Sequence, residues 1–192
     1  MSTDISEKGL ESLIVRHMTG TDGLAVLANS AANTVAEPPA PYGGTGYFAG
    51  SPKDFDRAHA LDVAQLFAFL RATQPEAFKK LGMADANDAK DIKRLQFLAR
   101  LSGELGKRGA IDVLRKGIEH HPAGHFDLFY GTPSEGNAKA AALHSQNRFT
   151  VTRQLAYSVD ESRRALDLGL FINGLPIATF RSEEHTSELQ SR

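Results

Sequence analysis

The clearest pattern of apolar and polar positions in the chain lies between residues 164 and 180. Apolar side chains alternate with other side chains along Leu166, Asp167, Leu168, Gly169, Leu170, Phe171 and Ile172. This is the period of a β-strand with one apolar face. Asn173-Gly174 follows, and both residues tolerate the positive φ angles of a tight turn. Because a second apolar run reaches Phe180, the pattern predicts a β-hairpin.

Apolar residues at helical spacing predict several helices before this hairpin. The first follows a cap at Asp4 or Ser6, and its stripe is formed by Leu10, Leu13, Ile14 and His17. Further helices are predicted from Ser51-Pro52 to Thr73, from Pro75 to Gly82, from about Asp88 through Leu105, and from Ala138 to Ser145. Strands dominate the last third, so the chain is predicted to be an α/β domain with a mixed sheet flanked by helices.

A second long strand is predicted from Arg148 to Tyr157, and a short one from Phe126 to Tyr130. Alternation along the long strand puts Arg153 on one face and Gln154 on the other. Each of these two side chains has either a structural role or a position facing DNA or an active site.

Asp167 stands near the start of the first hairpin strand. A buried strand rarely contains a carboxylate without a partner or a metal ion. Two interpretations therefore remain for Asp167: a structural aspartate at a strand end, or a metal-binding or catalytic carboxylate.

The charges of the chain nearly cancel, with 22 basic and 23 acidic residues among 192. There is no global basic signal for nucleic acid, so any DNA contact must come from local patches. One region is locally basic through Lys90, Lys93, Arg94, Arg100, Lys107, Arg108, Arg115 and Lys116. These residues form either ordinary solvated helix faces or a surface that follows DNA phosphates.

The composition excludes several other kinds of site. The chain has no cysteine, which excludes disulfides and thiolate metal sites and fits a reducing, cytoplasmic environment. No stretch approaches 18 consecutive apolar residues, so no membrane contact is expected. The histidines between His120 and His125 match no zinc motif and predict a polar loop. Gly43-Gly44-Thr45-Gly46 lacks the Gly-Lys-Ser/Thr ending of an ATP-binding loop.

The hairpin residues Leu166 to Pro176 resemble the nuclease hairpin of the type I restriction enzyme R (motor) subunit. In that family an Asp, an apolar hairpin through Asn-Gly-Leu-Pro, and a Glu-x-Lys sequence make a PD-(D/E)-x-K endonuclease site. Asn147 to Leu155 and the opening Glu7-Lys8-Gly9-Leu10-Glu11 resemble the family as well. The likeness covers residues 4 to 180, and it implies a restriction-endonuclease-like fold over residues 1–180.

This resemblance implies Mg²⁺-dependent cleavage of double-stranded DNA in a restriction system, coupled in the full protein to ATP-driven translocation. It also implies partnership with specificity and methyltransferase subunits, and ATP binding only in motor domains outside this chain. Asp167 corresponds to the metal-binding, catalytic aspartate. Glu11 is either a solvated helix glutamate or the acidic residue that related nucleases bring to the site from this helix. Arg148, Arg153 and Gln154 are candidate DNA contacts.

Two other functions remain open. One is a non-catalytic interaction domain that anchors the motor to the specificity and methyltransferase subunits. The other is a different Mg²⁺-dependent nuclease, such as a DNA repair enzyme. A helicase segment downstream in the intact gene would favour restriction over repair.

The chain departs from the family pattern where the Glu-x-Lys sequence should be. The glutamate should fall at position 181 and the lysine at position 183, but the chain has Arg181 and Glu183. The last twelve residues, 181–192, resemble the in-frame translation of a sequencing-library adapter. We therefore expect a foreign tail after residue 180, an endonuclease domain that is incomplete at its C-terminal end, and no nuclease activity.

The register of the hairpin gives a further expectation. A two-residue loop would pair residues whose numbers sum to 347, which sets Asp167 and position 181 on opposite sides of the sheet. An odd loop, such as Ile172-Asn173-Gly174 with a bulge, would set them on one face. If the family's site is present, the odd loop is expected.

Overall fold

The computed structural model of the protein describes residues 7–20, 46–156 and 165–181. Its helices are α1 (Glu7–Thr19), α2 (Val63–Thr73), α3 (Pro75–Lys80), α4 (Ile92–Arg108), α5 (Ala110–Lys116) and α6 (Ala138–His144), with a 3₁₀ turn at Pro52–Asp54. Its strands are β1 (Phe48–Ala49), β2 (Phe55–Asp56), β3 (Leu61–Asp62), β4 (Ile118–His120), β5 (Gly124–Phe126), β6 (Phe149–Ala156), β7 (Ala165–Ile172) and β8 (Leu175–Phe180).

The main sheet has four strands in the order β1-β6-β7-β8. β1 runs parallel to β6, whereas β6, β7 and β8 pair antiparallel, so the sheet is mixed. β2 and β3 form a separate two-stranded ribbon, as do β4 and β5. A mixed sheet flanked by helices confirms the α/β fold class.

Two apolar clusters hold the elements together. The larger one joins α2, α4 and α5 to the end of the hairpin, with Phe69, Phe97, Leu101, Phe126 and Leu175 fully buried. The smaller one joins α1 to the sheet through Val15, Val151 and Leu168. Helix α1 therefore lies against β6 and β7, and β7 is the strand that contains Asp167.

The helix α1 buries a different face from the one predicted. Leu10 and Leu13, two residues of the predicted stripe, are 54% and 58% exposed, whereas Glu11, Val15 and Thr19 are buried. The proposed caps Asp4 and Ser6 lie outside the described residues. The stripe was wrong at Leu10, Leu13 and His17, whereas Ile14 does pack against the small apolar cluster. The helix packs the carboxylate of Glu11, rather than a leucine, against the sheet.

Three other elements also differ from expectation. Ser51 caps only the short 3₁₀ turn, and α2 begins at Val63 with Asp62 as its cap. The histidine segment is a β-hairpin of β4 and β5 rather than a polar loop, and the strand predicted from Phe126 to Tyr130 ends at Phe126. Helices α3 and α6 and the strands of the main hairpin confirm the sequence pattern.

The β7–β8 turn has two residues rather than three, so the predicted odd loop was wrong. Ile172 pairs with Leu175, and Asn173 and Gly174 have φ angles of 50° and 82°. The bulge, however, is present within β8. Leu170 pairs with Ala178 but Phe171 pairs with Pro176, which leaves Ile177 as the extra residue. The extra residue shifts the pairing by one position, so Asp167 and position 181 lie on one face of the sheet. The odd loop would have had the same effect.

Asn173 ties the turn to the rest of the fold. Its side chain is fully buried. Its Oδ1 accepts from the N–H of Arg148 at 2.6 Å, and its Nδ2 donates to the carbonyl of Leu128 at 2.9 Å and to Oδ1 of Asn147 at 3.0 Å. Its own N–H donates to the carbonyl of Arg148 at 2.8 Å. One side chain thus joins three segments of the chain.

Asp62 is a second buried polar group, with 1% of its surface exposed. Its Oδ1 accepts from the N–H of Gln65 at 3.1 Å, and its own N–H donates to the carbonyl of Gly174 at 2.9 Å. The pKa of this carboxyl is raised to about 7, mainly by burial and to a smaller extent by the nearby Asp54, while the Gln65 N–H and Arg148 oppose the shift. The residue that holds the hairpin turn through its backbone N–H therefore has a buried carboxyl whose protonated form is favoured below about pH 7.

We expect Asp62 to make stability depend on pH. Because its pKa in the folded protein lies above its ordinary value of 3.8, its contribution is complete below about pH 4 and is lost as pH rises through about 7. A shift of this size corresponds to about 4 kcal/mol in the free energy of unfolding. Asp62→Asn keeps a capping oxygen and should remove this slope, making the variant more stable than the parent at pH 8. Urea unfolding between pH 4 and pH 8 measures the effect.

Asp91→Asn is the matched control. Asp91 caps α4 in the same way, but hydrogen bonds from Arg94 and its neighbours lower the pKa of this carboxyl. Its contribution is therefore present at neutral pH and is lost as pH falls, which is the opposite sign. An unchanged pH slope in Asp62→Asn would contradict the assignment.

Candidate functional site

A small cavity lies between helix α1 and the open end of the β7–β8 hairpin. Its volume is about 150 Å³. It is lined by Leu10, Glu11, Ile14, Asp167, Leu168, Phe180 and Arg181. The cavity therefore brings together the two residues that the sequence suggested as catalytic, Glu11 and Asp167, with the residue at position 181.

The sheet register explains why these groups meet. Leu168 pairs with Phe180, so continuing the β7–β8 register by one residue sets Asp167 opposite Arg181. On the other side, Arg153 pairs with Leu168 and Leu155 pairs with Leu166, which leaves Gln154 opposite Asp167. Cross-strand partners lie side by side. Gln154, Asp167 and Arg181 thus form a row across three neighbouring strands.

Glu11 closes this row from helix α1. It is only 4% exposed, so the interpretation of a solvated helix glutamate was wrong. Nε2 of Gln154 donates to both carboxylate oxygens, at 2.9 and 3.1 Å, and Nη2 of Arg153 lies 3.3 Å from Oε2. A buried carboxylate needs such partners, because burying a charge without them is strongly unfavourable.

The backbone of Gln154 allows both contacts. Arg153 and Gln154 are neighbours, and regular alternation puts their side chains on opposite faces. Gln154 instead has a φ of 49°, in the left-handed region that residues other than glycine rarely adopt. The local twist lets both side chains reach Glu11. The predicted separation of Arg153 and Gln154 onto opposite faces was therefore wrong.

Arg148 lies apart from this cavity. It precedes β6, six residues before Gln154, or about 20 Å along an extended strand. Its Nε donates to Oε1 of Gln65 at 2.6 Å, and its guanidinium carbon is 5.8 Å from the centre of the Phe48 ring. Of the three candidate DNA contacts, Arg153 and Gln154 lie beside the cavity and Arg148 does not.

Much of the locally basic region is engaged in ion pairs. Arg100 and Arg108 contact Glu104 at 3.4 and 3.3 Å. Arg108 and Lys116 contact Asp112 at 2.7 and 2.6 Å. Arg94 is nearly buried, 3.8 Å from Asp56. These pairs favour ordinary helix faces over a surface that follows phosphates.

The residues at the cavity do not fit a Mg²⁺ ion. Of its two carboxylates, Glu11 is paired with Arg153 from outside the lining, and Arg181 lines the cavity together with Asp167, so the positive charges balance the negative ones. Both oxygens of Glu11 already accept hydrogen bonds. Across residues 7–20, 46–156 and 165–181, no three histidine, aspartate or glutamate side chains are grouped so that they could hold a metal ion. Mg²⁺ prefers charged oxygen ligands, but the charges of the carboxylates at this cavity are balanced by arginines.

Residues 182–192 lie outside the described residues, and with them lies most of the expected foreign tail, including Glu183. Arg181 follows β8 directly and is exposed. Within the described part of the chain, no helix is both long and apolar enough to cross a membrane.

The comparison with protein families places the hairpin in a known context. Residues 130–180 match the family described as type I restriction enzyme R protein N terminus. The match includes α6, β6, β7 and β8, and therefore Arg153, Gln154 and Asp167. No curated protein and no solved structure matches the chain. The resemblance seen in the sequence is thus confirmed over this segment, because residues 130–180 are similar to the N-terminal region of type I restriction enzyme R proteins.

Proposed function

We propose that this chain is the endonuclease domain of a type I restriction enzyme R subunit, and that its site is centred on Asp167. The observation that supports this most is the bulge in β8, which sets Asp167 opposite position 181. That position is where the family has a glutamate. Two neighbouring carboxylates on adjacent strands would form the acidic pair that metal-dependent cleavage of a phosphodiester requires. In this chain Arg181 takes the place of the second carboxylate.

We propose that the chain as it stands does not cleave DNA. Mg²⁺ is the cofactor that the resemblance implies, and the present residues do not fit it. Arg181 puts a cation beside Asp167 where a second anionic oxygen is needed. Residues of one catalytic unit fail together, so Asp167 alone should retain little of the activity.

The wider assignment follows from the same family. The substrate is double-stranded DNA, and the full protein would couple cleavage to ATP-driven translocation by motor domains. The partners would be the specificity and methyltransferase subunits of a type I restriction complex. Arg153 and Gln154 touch Glu11 within the domain, so a DNA contact by either side chain would be additional to this internal role.

A plasmid nicking assay tests the proposed state of the site. With Mg²⁺ or Mn²⁺ we expect no conversion of supercoiled DNA above the level of an Asp167→Ala control, because the acidic pair is absent. Electrophoresis over several hours at equimolar protein and plasmid measures it. Cleavage that disappears in Asp167→Ala would show that Asp167 works with a different partner from position 181.

A further inference from the structure

We propose that Gln154 is a positioning residue, and that Glu11 is the anchor of an internal clasp rather than a metal ligand. The clasp consists of Glu11, Arg153 and Gln154. It holds helix α1 over the cavity that contains Asp167, so the shape of the cavity depends on it. The metal-binding part of this inference rests on the proposed function, whereas the clasp itself does not.

The contacts within the clasp show what Glu11 is used for. The amide of Gln154 donates to both oxygens of the carboxylate, and Arg153 adds a charged contact to one of them. Glu11 is nearly fully buried between these groups. Since the carboxylate is already neutralised and held by two donors, it is poorly disposed to bind a cation as well.

The backbone of Gln154 supports a dedicated role for this residue. Nothing about an ordinary strand position requires a φ of 49°, and a side chain there is strained compared with glycine. The strain places the amide on Glu11 and would be relieved by glycine at no loss of apolar packing, because Gln154 is itself exposed. Because the backbone strain at Gln154 is unfavourable for folding, its presence indicates that the contact between Gln154 and Glu11 compensates for it.

The clasp also joins distant parts of the chain. Glu11 and Gln154 are separated by 143 positions. Helix α1 otherwise packs on the sheet through the small apolar cluster around Val15, Val151 and Leu168. Because Leu10 and Ile14 also line the cavity, a shift of α1 would move its apolar wall as well as Glu11.

The first test uses the unchanged protein without metal. Hydrogen exchange of the Gln154 side-chain amide, followed by NMR, should be about tenfold slower than that of Gln146, an exposed glutamine on the turn before β6. Glu11→Ala should remove the difference. Exchange of the two amides within twofold of each other in the unchanged protein would overturn the clasp.

The second test separates a positioning role from a ligand role. In an Arg181→Glu/Glu183→Lys background, Mn²⁺ affinity is measured by water-proton relaxation for Glu11→Gln, for Gln154→Gly and for both together. A positioning pair should lose affinity equally, about tenfold for either single change, with no further loss in the double variant. Gln154→Gly adopts the φ of 49° without strain, which offsets part of the stability lost with its two hydrogen bonds to Glu11. Gln146→Ala should change neither the affinity for Mn²⁺ nor the melting temperature.

The outcomes are distinct. If Glu11→Gln weakens Mn²⁺ binding tenfold more than Gln154→Gly does, Glu11 is a ligand and the inference is wrong. If the Arg181→Glu/Glu183→Lys background binds no Mn²⁺ at all, the proposed function fails, while the exchange experiment still decides whether the clasp exists.

Discussion

Asn173→Ala is expected to destabilise the protein by about 4 kcal/mol, which is a large effect for one polar side chain. The substitution removes an acceptor from the Arg148 N–H and a donor from the Leu128 carbonyl, and both are held at short distance in the present structure. It also removes the hydrogen bond to Asn147. Alanine is in addition disfavoured at a φ of 50°, which asparagine tolerates. Thermal and urea unfolding measure the loss.

Two variants separate the backbone contribution from the hydrogen bonds. Asn173→Gly accepts the left-handed φ but lacks the side chain, so it should recover only about 1 kcal/mol of the loss. Asn137→Ala is the control for an ordinary asparagine cap, because Asn137 caps the exposed helix α6 through Ala140. It should be destabilised by about 1 kcal/mol. A loss in Asn173→Ala no larger than in Asn137→Ala would show that the buried network is not important for folding.

The sequence predicted the elements whose signal is local. Alternation of period two and the Asn-Gly pair are both contained within residues 166–180, so the β7–β8 hairpin could be located correctly. Helix α3 follows from Pro75, which favours the first turn of a helix, and α6 from a run of alanines after Asn137. Such signals need no knowledge of what the element packs against.

The position of the bulge was harder to predict, because two backbone arrangements give the same pairing of β7 with β8. An odd loop and a two-residue loop followed by an extra residue both bring Asp167 opposite position 181. Pro176 offers a hint in favour of the second. It lacks an N–H, so it fits only an edge strand or a bulge, and β8 is an edge strand with Ile177 as the extra residue.

The burial of Glu11 could not be predicted from periodicity. Leucines at helical spacing predict an apolar face, and a glutamate beside them is normally solvated. Here the partners of the glutamate are 142 and 143 positions away, and one of them has a backbone conformation that breaks strand alternation. Long-range polar pairing leaves no local pattern. The resemblance to restriction enzymes makes Glu11 a candidate site residue, but the partners of its carboxylate are brought together only by the folded structure.

Arg181→Glu combined with Glu183→Lys is expected to create a binding site for a divalent cation, with affinity for Mn²⁺ at least tenfold above that of the unchanged protein. The first substitution converts a positive charge beside Asp167 into a negative one. It therefore changes the local charge by two units next to a doubly charged ion. Mg²⁺ and Mn²⁺ are held in proteins by one or two carboxylates with several retained waters, so two cross-strand carboxylates are sufficient.

The geometry needed for this gain already exists in the sheet. Because Leu168 pairs with Phe180, Asp167 and the residue at position 181 are cross-strand neighbours, and nothing else in the hairpin has to move. A tenfold change in affinity corresponds to about 1.4 kcal/mol, a modest demand on a reversal of charge at contact distance. Titration calorimetry with Mn²⁺ measures it. Adding Asp167→Asn should abolish the gain, whereas Asp127→Asn, at an exposed carboxylate after β5, should leave it intact. If the gain persists without the Asp167 carboxylate, the metal has bound elsewhere and Asp167 is not the centre of the site.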